Sequence, residues 1–156
     1  MGIATVRDAL RYLVYATPSP ADRTVLRLTK VLYLVDWRSA WGRGYSLTPC
    51  AWHFDRFGPT APEIWDTVCH DPAWKVQPRG RIMLTADARP ATPTVTAVDA
   101  AWMDRVLAEA AGWTWADLVA AVWATYPIRT GQRGTALPLT ALARACRQAR
   151  ADPGWH

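Results

Sequence analysis

Hydrophobic side chains recur at helical spacing over most of the chain. In residues 4–16 they lie three or four positions apart and Pro18 follows, so the spacing predicts an amphipathic helix that ends before the proline. In residues 22–42 apolar side chains cover more than half of the helical circumference, and Gly42 and Gly44 end the pattern. A helix with so little polar surface is typical of the centre of a protein.

Shorter elements are predicted in the middle of the chain. Residues 47–54 are expected to form a short strand or an extended leg, and Gly58-Pro59 breaks the chain after them. Thr60 and Glu63 have the spacing of a capping box, in which each side chain binds the backbone amide of the other residue. A short helix is therefore predicted over residues 61–70.

A small hairpin is predicted next. Residues 74–77 and 81–85 are two short, partly apolar segments, and Pro78-Arg79-Gly80 lies between them. Two such segments around a Pro/Gly turn are typical of a β-hairpin. Residues 86–97, with two prolines among alanine and threonine, are expected to form a loop.

The last third of the chain predicts three more helices. They are expected over residues 100–111, 115–125 and 138–150. Asp99 and Thr114 are the predicted N-caps of the first two, and Pro127 is expected to end the second. Residues 128–135 are polar and contain glycine, so a loop is expected there, and Pro138 opens the last helix.

Together these elements predict a mainly α fold with some β structure (α+β), a compact bundle of about six helices with one small antiparallel β element. The length of 156 residues favours one domain, over residues 1–150, and a short tail over residues 151–156. No apolar run approaches the roughly 20 residues of a membrane span. The first residues lack the pattern of a signal peptide, so we expect a cytoplasmic protein with no membrane partner.

Charge and composition narrow the function only slightly. The net charge of +5 is compatible with an acidic protein partner or with nucleic acid. Lysine is scarce beside arginine, with only Lys30 and Lys75 present, and a GC-rich coding bias explains that as well as phosphate recognition does. Ten tryptophans are the unusual feature, because tryptophan is favoured in cores and at protein interfaces.

The sequence carries no catalytic motif. It has no nucleophile elbow, no H-E-x-x-H segment and no phosphate-binding loop, so we expect a protein that is not an enzyme and has no cofactor. Cys50 and His53 have metal-ligand spacing, and Cys69-His70 adds two candidates. Because adjacent helical residues point about 100° apart, Cys69 and His70 cannot easily share an ion, and we expect no metal site.

One face of the second predicted helix is an alternative binding surface. It carries basic side chains interleaved with apolar ones, namely Arg23, Arg27, Lys30, Leu34, Arg38 and Trp41. Arginine and an aromatic ring can hold phosphates and a stacked base, so a nucleic-acid-binding regulator is the alternative hypothesis. The arginine stems can equally lie over apolar surface while Trp41 completes the core.

Two segments, in the right order, resemble a known family. RLTKVLYLVDW (residues 27–37) is similar to the K-L-x-K-L-L-Y helix of SocA-like proteins, and AWHFDRFGPTAPEIWD (residues 51–66) is similar to their A-W-x-x-G-P-x-x-P-x-x-Y/W segment. LVAAVWATYPI (residues 118–128) resembles the end of a late helix in the same family. The chain thus resembles the Panacea antitoxin domain, also described as SocA-like and phage-associated, over roughly residues 5–148.

The matched positions are expected to be scaffold residues first. They are Lys30, Asp36, Trp52, Gly58, Pro59, Pro62 and Trp65. Trp52 and Trp65 flank the Gly-Pro turn and are expected to pack together. Two features depart from the family pattern: residues 53–57 are longer than the two residues often found between Trp and Gly-Pro, and the Thr-His pair that many members carry before the late proline is absent. The partner class therefore stays open.

The resemblance implies function by binding. Panacea domains bind a cognate toxin, usually encoded by an adjacent gene, and block its active surface. A SocA-like member can also act as a proteolytic adaptor that delivers the toxin to an ATP-dependent protease. Because tryptophan and arginine most often dominate protein interfaces, the candidate contacts with the toxin are Arg38, Trp41, Arg56 and Trp74.

Overall fold

The structure is a computed structural model that describes residues 4–84 and 94–155. These ranges are mainly helical with a little antiparallel β structure, which confirms the predicted fold class. The helices are α1 Val6–Ala16, α2 Val25–Arg43, α3 Pro62–His70, α4 Ala97–Ala110, α5 Trp115–Trp123, α6 Tyr126–Thr130 and α7 Leu139–Gln148, and the strands are β1 His53–Asp55, β2 Gly58–Thr60, β3 Trp74–Val76 and β4 Ile82–Leu84. In this described part, no helix is both long and apolar enough to cross a membrane.

Helix α2 forms the centre of the fold, as its apolar pattern predicts. Every residue from 31 to 40 is buried, and α1, α3, α4, α5, α7 and β2 pack around the helix. It begins after Thr24, whose side chain accepts a hydrogen bond from the Arg27 N–H, and it ends at Gly44, which has a φ of 87°. Residues that carry a side chain rarely adopt this left-handed conformation, so glycine suits the end of this helix.

Two hairpins lie on either side of α3. In the first, β1 pairs with β2 from His53↔Thr60 to Asp55↔Gly58, so a turn of two residues joins the strands. In the second, β3 pairs with β4 around Pro78–Gly80, as the sequence predicts. The sequence predicts one β element rather than two, because Gly58-Pro59 is more typical of a chain break than of a strand.

The predicted capping box at the start of α3 is wrong. Thr60 is part of β2, where its backbone pairs with His53, and it lies one residue before the cap position of α3. The residue at the cap position is Ala61, which has no side-chain hydrogen bond to the helix. Glu63 instead accepts a hydrogen bond from the Ala51 N–H at 3.2 Å, and so connects α3 to the segment before β1.

The predicted cap of α4 is also wrong, whereas that of α5 is confirmed. Thr96 caps α4, and Asp99 lies in the first turn, where its N–H donates to the Thr96 side chain and its carboxylate binds Arg43. The helix therefore begins earlier than predicted. At α5, Thr114 forms a complete capping box with Asp117.

The predicted loop over residues 128–135 begins with a helix. Helix α6 covers Tyr126–Thr130, and Pro127 lies in its first turn, where the missing N–H of a proline leaves no hydrogen bond unmade. Pro127 therefore follows the end of α5, as predicted, and also lies in the first turn of α6. Residues 85–93, which include most of the loop predicted over residues 86–97, lie outside the described residues.

The C-terminal segment, residues 151–155, packs on one end of α2. The Trp37 Nε1–H donates to the Pro153 carbonyl at 3.0 Å, across 116 residues of sequence. The Trp155 ring lies edge-on to Trp37 and to Trp41, with centroid distances of 6.2 and 5.4 Å. The segment that the sequence sets apart as a tail therefore covers aromatic side chains of the central helix.

Candidate functional site

A buried carboxylate connects α2 to the segment before β1. Asp36 accepts three hydrogen bonds, from the Thr48 N–H at 2.8 Å, the Thr48 hydroxyl at 2.6 Å and the Trp52 Nε1–H at 2.8 Å. Complete burial raises the pKa of Asp36 to about 6, although these hydrogen bonds act in the opposite direction. Asp36 is therefore mainly ionised at neutral pH and holds Trp52 in place.

A buried ammonium group connects α2 to β2. Lys30 is 3% exposed, and its Nζ donates to the Pro59 carbonyl at 2.9 Å. Burial lowers the pKa of Lys30, and the nearby Asp55 carboxylate acts in the opposite direction. Gly58 has a φ of 102°, and a Cβ at this position would lie 3.5 Å from Lys30 Nζ. The turn thus brings the backbone close to the lysine in a conformation that favours glycine.

The outer edge of β1 is covered by the segment that precedes α7. The Phe54 N–H donates to the Thr135 carbonyl at 2.9 Å, and the Leu137 N–H donates to the Trp52 carbonyl at 2.8 Å. β1 therefore has backbone hydrogen bonds along both of its edges, to the segment before α7 on one side and to β2 on the other. This matters because a hairpin of two three-residue strands is marginal by itself.

The β1–β2 hairpin presents an exposed aromatic ring at its turn. Phe57 is 67% exposed, and its N–H donates to the Asp55 carboxylate at 2.8 Å. The Arg56 guanidinium lies 5.5 Å from the Phe57 ring, and the Arg133 guanidinium lies 5.7 Å from the Trp123 ring. We call Arg56, Phe57, Trp123 and Arg133 the hairpin-tip surface.

The hairpin-tip surface is continuous with the buried contacts beneath it. Trp123 is half-buried, and its ring lies edge-on to that of Phe54 in β1 at a centroid distance of 5.5 Å. A Cβ at Gly58 would lie 3.9 Å from the Trp123 Nε1. Lys30, the turn and the two arginine–aromatic pairs therefore form one neighbourhood, in which Lys30 is buried and Arg56, Phe57 and Arg133 are exposed to solvent.

An open groove of about 560 Å³ lies between residues 45–53 and residues 136–144. Its lining is mainly apolar and includes Cys50. Burial, helped by the nearby Asp36 carboxylate, raises the pKa of Cys50 to about 12. Burial therefore favours the neutral thiol form of Cys50.

The candidate metal ligands do not form a cluster. Across residues 4–84 and 94–155, no group of three or more His, Cys, Asp or Glu side chains could hold a metal ion. Cys69 and His70 are exposed on α3, and the His70 ring contacts the Asp66 backbone carbonyl at 2.7 Å. Cys50 lies apart from them beside the groove.

The structure brings five of the seven matched residues together. Lys30, Asp36, Trp52, Gly58 and Pro59 are all buried where α2 meets the β1–β2 hairpin. Their contacts, described above, hold the hairpin against the helix. These residues therefore act as scaffold for the turn between the strands.

The other two matched residues lie outside this cluster. Pro62 begins α3, and Trp65 is 42% exposed on that helix. The predicted contact between Trp52 and Trp65 is wrong: the Trp52 ring packs edge-on against Tyr33, and the Trp65 ring lies beside Gly80 of the second hairpin. The short helix α3 directs Trp65 away from the core.

Two of the four residues predicted to contact a partner are buried. Arg38 is 7% exposed and forms an ion pair with Glu109 of α4 at 2.6 Å. Trp74 is 4% exposed, and its Nε1–H donates to the Val68 carbonyl at 3.0 Å. Both side chains are therefore part of the folded interior and cannot meet a partner in this conformation.

The other two candidates differ in their access to solvent. Trp41 is half-buried, with the Trp155 ring at its edge and the Arg147 guanidinium 4.3 Å from its own ring. Arg56 is exposed at the hairpin turn, as expected for a contact residue. Its neighbour Phe57 is not among the predicted partner contacts. Phe57 does lie in the extra residues before Gly58-Pro59, and that departure from the family pattern is the sequence feature that points to it.

The basic face of the second predicted helix is largely covered by the rest of the fold. Lys30, Leu34 and Arg38 are buried. Arg27 lies 3.8 Å from the Asp22 carboxylate and is only partly accessible. Because α2 is surrounded by other elements, its arginines and lysine meet protein groups. Of the six residues of the proposed face, Arg23, Arg27 and Trp41 are partly accessible and the other three are buried.

Comparisons with known proteins identify no relative. No family model, no curated protein and no solved structure matches this chain. The hairpin-tip surface and the buried contacts beneath it are therefore the features on which a functional interpretation rests.

Proposed function

We propose that this chain is an antitoxin-like binding protein that neutralises a cognate toxin by direct protein–protein contact and catalyses no reaction of its own. The observation that carries the proposal is the 67% exposed Phe57 ring on a turn whose two strands are held to α2 by buried polar groups. An aromatic side chain on a turn whose backbone is held in place suits an interface, because little backbone freedom is lost when it is bound.

The resemblance to the Panacea domain supports the same proposal. Five of its matched positions, Lys30, Asp36, Trp52, Gly58 and Pro59, support one exposed turn and form no catalytic set. A scaffold of this kind fits a module that binds through the turn. The toxin is expected to be encoded by an adjacent gene, in a toxin–antitoxin system that the resemblance associates with phages.

Direct contact allows two mechanisms. In occlusion, the chain covers the active surface of the toxin, so the toxin level stays constant while its activity falls. In delivery, the chain acts as a proteolytic adaptor, so the toxin disappears and rescue is lost in a host that lacks the ATP-dependent protease. Immunoblots of the toxin in normal and protease-deficient hosts distinguish the two.

A growth assay tests the proposal. Each adjacent gene is induced alone and then together with this chain. We expect one gene product to stop growth and this chain to restore it. If no adjacent product is toxic, or if this chain never restores growth, the proposal is wrong.

Two single variants test the role of the hairpin turn. Phe57→Ala should fold normally, because the side chain is exposed, and should weaken toxin binding by about 2 kcal/mol, or roughly thirtyfold in Kd. Trp115→Ala is the matched control, since Trp115 is 47% exposed at the start of α5. It should leave binding unchanged in titration calorimetry. Equal binding by both variants would place the contact elsewhere.

A further inference from the structure

The two arginines of the hairpin-tip surface have no carboxylate partner among the described residues. Arg56 and Arg133 are both exposed, and each lies over an aromatic ring, at 5.5 and 5.7 Å from its centroid. Elsewhere Arg11 and Arg38 bind carboxylates directly. Contact with a ring leaves guanidinium N–H groups free for planar, bidentate pairing with a carboxylate.

The charge around the turn is positive. Asp55 is the acidic residue beside the turn, and its carboxylate accepts the Phe57 N–H and lies near the buried Lys30 ammonium. Arg56 and Arg133 add two positive charges at the surface. A partner with negative charge opposite this surface would associate faster and in a defined orientation.

We propose that the hairpin-tip surface binds an acidic protein surface that contains an apolar pocket. This inference rests on the proposed function and describes the chemistry of the toxin surface. Phe57 enters the pocket, and Arg56 and Arg133 pair with carboxylates at its rim. The interface then has an apolar centre and a charged rim, the usual arrangement in protein complexes.

A nucleic acid fits this surface less well. Single strands are bound in grooves that follow the backbone and stack several bases. Here one largely exposed ring, Phe57, stands on a two-residue turn, and Trp123 is half-buried. A projecting side chain fits a pocket in a partner better than it fits a flexible strand.

Binding of polymers to the full chain tests the chemistry without knowledge of the toxin. The probes are an acidic copolymer of glutamate and tyrosine, a basic copolymer of lysine and tyrosine, and a thymidine oligonucleotide. We expect the acidic copolymer alone to shift the backbone NMR signals of residues 53–58 and 131–134. The shift should weaken as sodium chloride rises from about 50 to about 300 mM, because salt screens exposed charge pairs.

Charge variants identify the arginines responsible. R56Q/R133Q should weaken binding of the acidic copolymer by about tenfold. R105Q/R150Q removes the same charge from two other exposed arginines and should bind like the unchanged chain. Absence of shifts at the tip, equal binding by R56Q/R133Q, or tighter binding of the oligonucleotide at this surface would overturn the inference.

The toxin assay separates this inference from the proposed function. If the chain neutralises an adjacent gene product and R56Q/R133Q does so equally well, the proposed function holds and the acidic partner surface is wrong. If the chain neutralises no adjacent product but the acidic copolymer binds at the tip, the surface assignment holds and the antitoxin function fails. Loss of neutralisation in R56Q/R133Q, but not in R105Q/R150Q, supports both.

Discussion

Asp36 and Lys30 are buried charges on the same helix, and their surroundings satisfy them to different extents. Asp36 accepts three hydrogen bonds, two from Thr48 and one from Trp52. Lys30 has three N–H donors, and among the described residues one acceptor binds them, the Pro59 carbonyl. Buried charges are costly to desolvate, so neither residue is explained by stability alone. Both hold the hairpin in position.

The raised pKa of Asp36 predicts a pH dependence of stability. Its pKa is about 6 in the folded chain against 3.8 ordinarily, so between these values the folded chain holds a proton that the unfolded chain has released. The contribution of Asp36 to the free energy of unfolding is therefore largest below about pH 4, falls by up to about 3 kcal/mol as pH rises to about 6, and is constant above it.

Asp36→Asn isolates this contribution. Asparagine keeps the size of the side chain but does not titrate, so the fall between about pH 4 and pH 6 should be absent from the variant. Urea unfolding gives the free energy of unfolding of both chains at each pH. The difference between the two chains removes the effect of other carboxyl groups such as Asp71, whose pKa is lowered. An unchanged pH dependence in the variant would contradict the prediction.

Trp52→Phe should lower stability in a pH-dependent way. The variant keeps an aromatic ring but removes the N–H that binds Asp36, and hydrogen bonds to charged groups contribute about 1.5–3 kcal/mol. The pKa of Asp36 should rise further, so the loss should be larger at about pH 8 than at about pH 4.5.

Trp74→Phe is the matched control for Trp52→Phe. Trp74 is equally buried, but its Nε1–H donates to the uncharged Val68 carbonyl. Its loss of stability should be the same at both pH values, as measured by urea unfolding. A pH-dependent loss in Trp74→Phe, or none in Trp52→Phe, would show that Asp36 is not the group being measured.

At the scale of elements, the β1–β2 hairpin depends on its neighbours. Each strand has three residues, which is too short for independent stability. The contacts of Trp52 with Asp36, of Pro59 with Lys30 and of Phe54 with Thr135 hold it in place. The conformation of the turn is thus set by α2 and by the segment before α7.

Gly58→Ala should lower both stability and toxin neutralisation. At a φ of 102°, a side chain strains the backbone by about 1–3 kcal/mol, and here the strain falls at the start of β2. Gly112→Ala is the control, since Gly112 has a φ of 82° with nothing within 4 Å of a Cβ. It should lose stability but keep neutralisation. Similar growth rescue by both variants would contradict a role for the turn.

The sequence predicts most helices because their signals are local. Apolar spacing places α1 and α2 correctly, and Thr114 caps α5 as its position predicts. Thr60 has an equally good capping pattern, but it is the last residue of β2 and lies one residue before the cap position of α3. A pattern that covers the first residues of a helix does not include pairing with the preceding strand.

The candidate site is predictable only in part, for the same reason. The resemblance to the Panacea domain singles out Lys30 and Asp36, although it does not identify Pro59 and Thr48 as their partners. Phe57 is not predicted, because its exposure follows from the pairing of Asp55 with Gly58, and strand register depends on tertiary structure.

At the scale of the whole molecule, the C-terminal segment completes the surroundings of α2. Trp155 contacts the rings of Trp37 and Trp41, and the Arg38 guanidinium lies 5.3 Å from its ring. Arg38 and Trp41 are residue types that are common at interfaces, but these contacts keep them from being free surface residues. The chain's own tryptophan already covers them.

Trp155→Ala should therefore lower the stability of the whole fold. We expect a loss of about 1–3 kcal/mol, because a half-buried aromatic side chain loses its contacts. Trp115→Ala, at an exposed position, should change stability by less than about 0.5 kcal/mol. Urea unfolding measures both, and equal values would show that the C-terminal segment contributes little to the fold.

The position of this segment also affects the order of events during synthesis. A ribosome makes α2 early, but the Pro153 carbonyl that accepts the Trp37 N–H is translated 116 residues later, and the Thr135 carbonyl that binds β1 also follows long after the hairpin. Nascent chains that already contain the whole motif therefore lack the finished surface. If the proposed function holds and the toxin is made at the same time, binding begins only after residues 133–135 have left the ribosome.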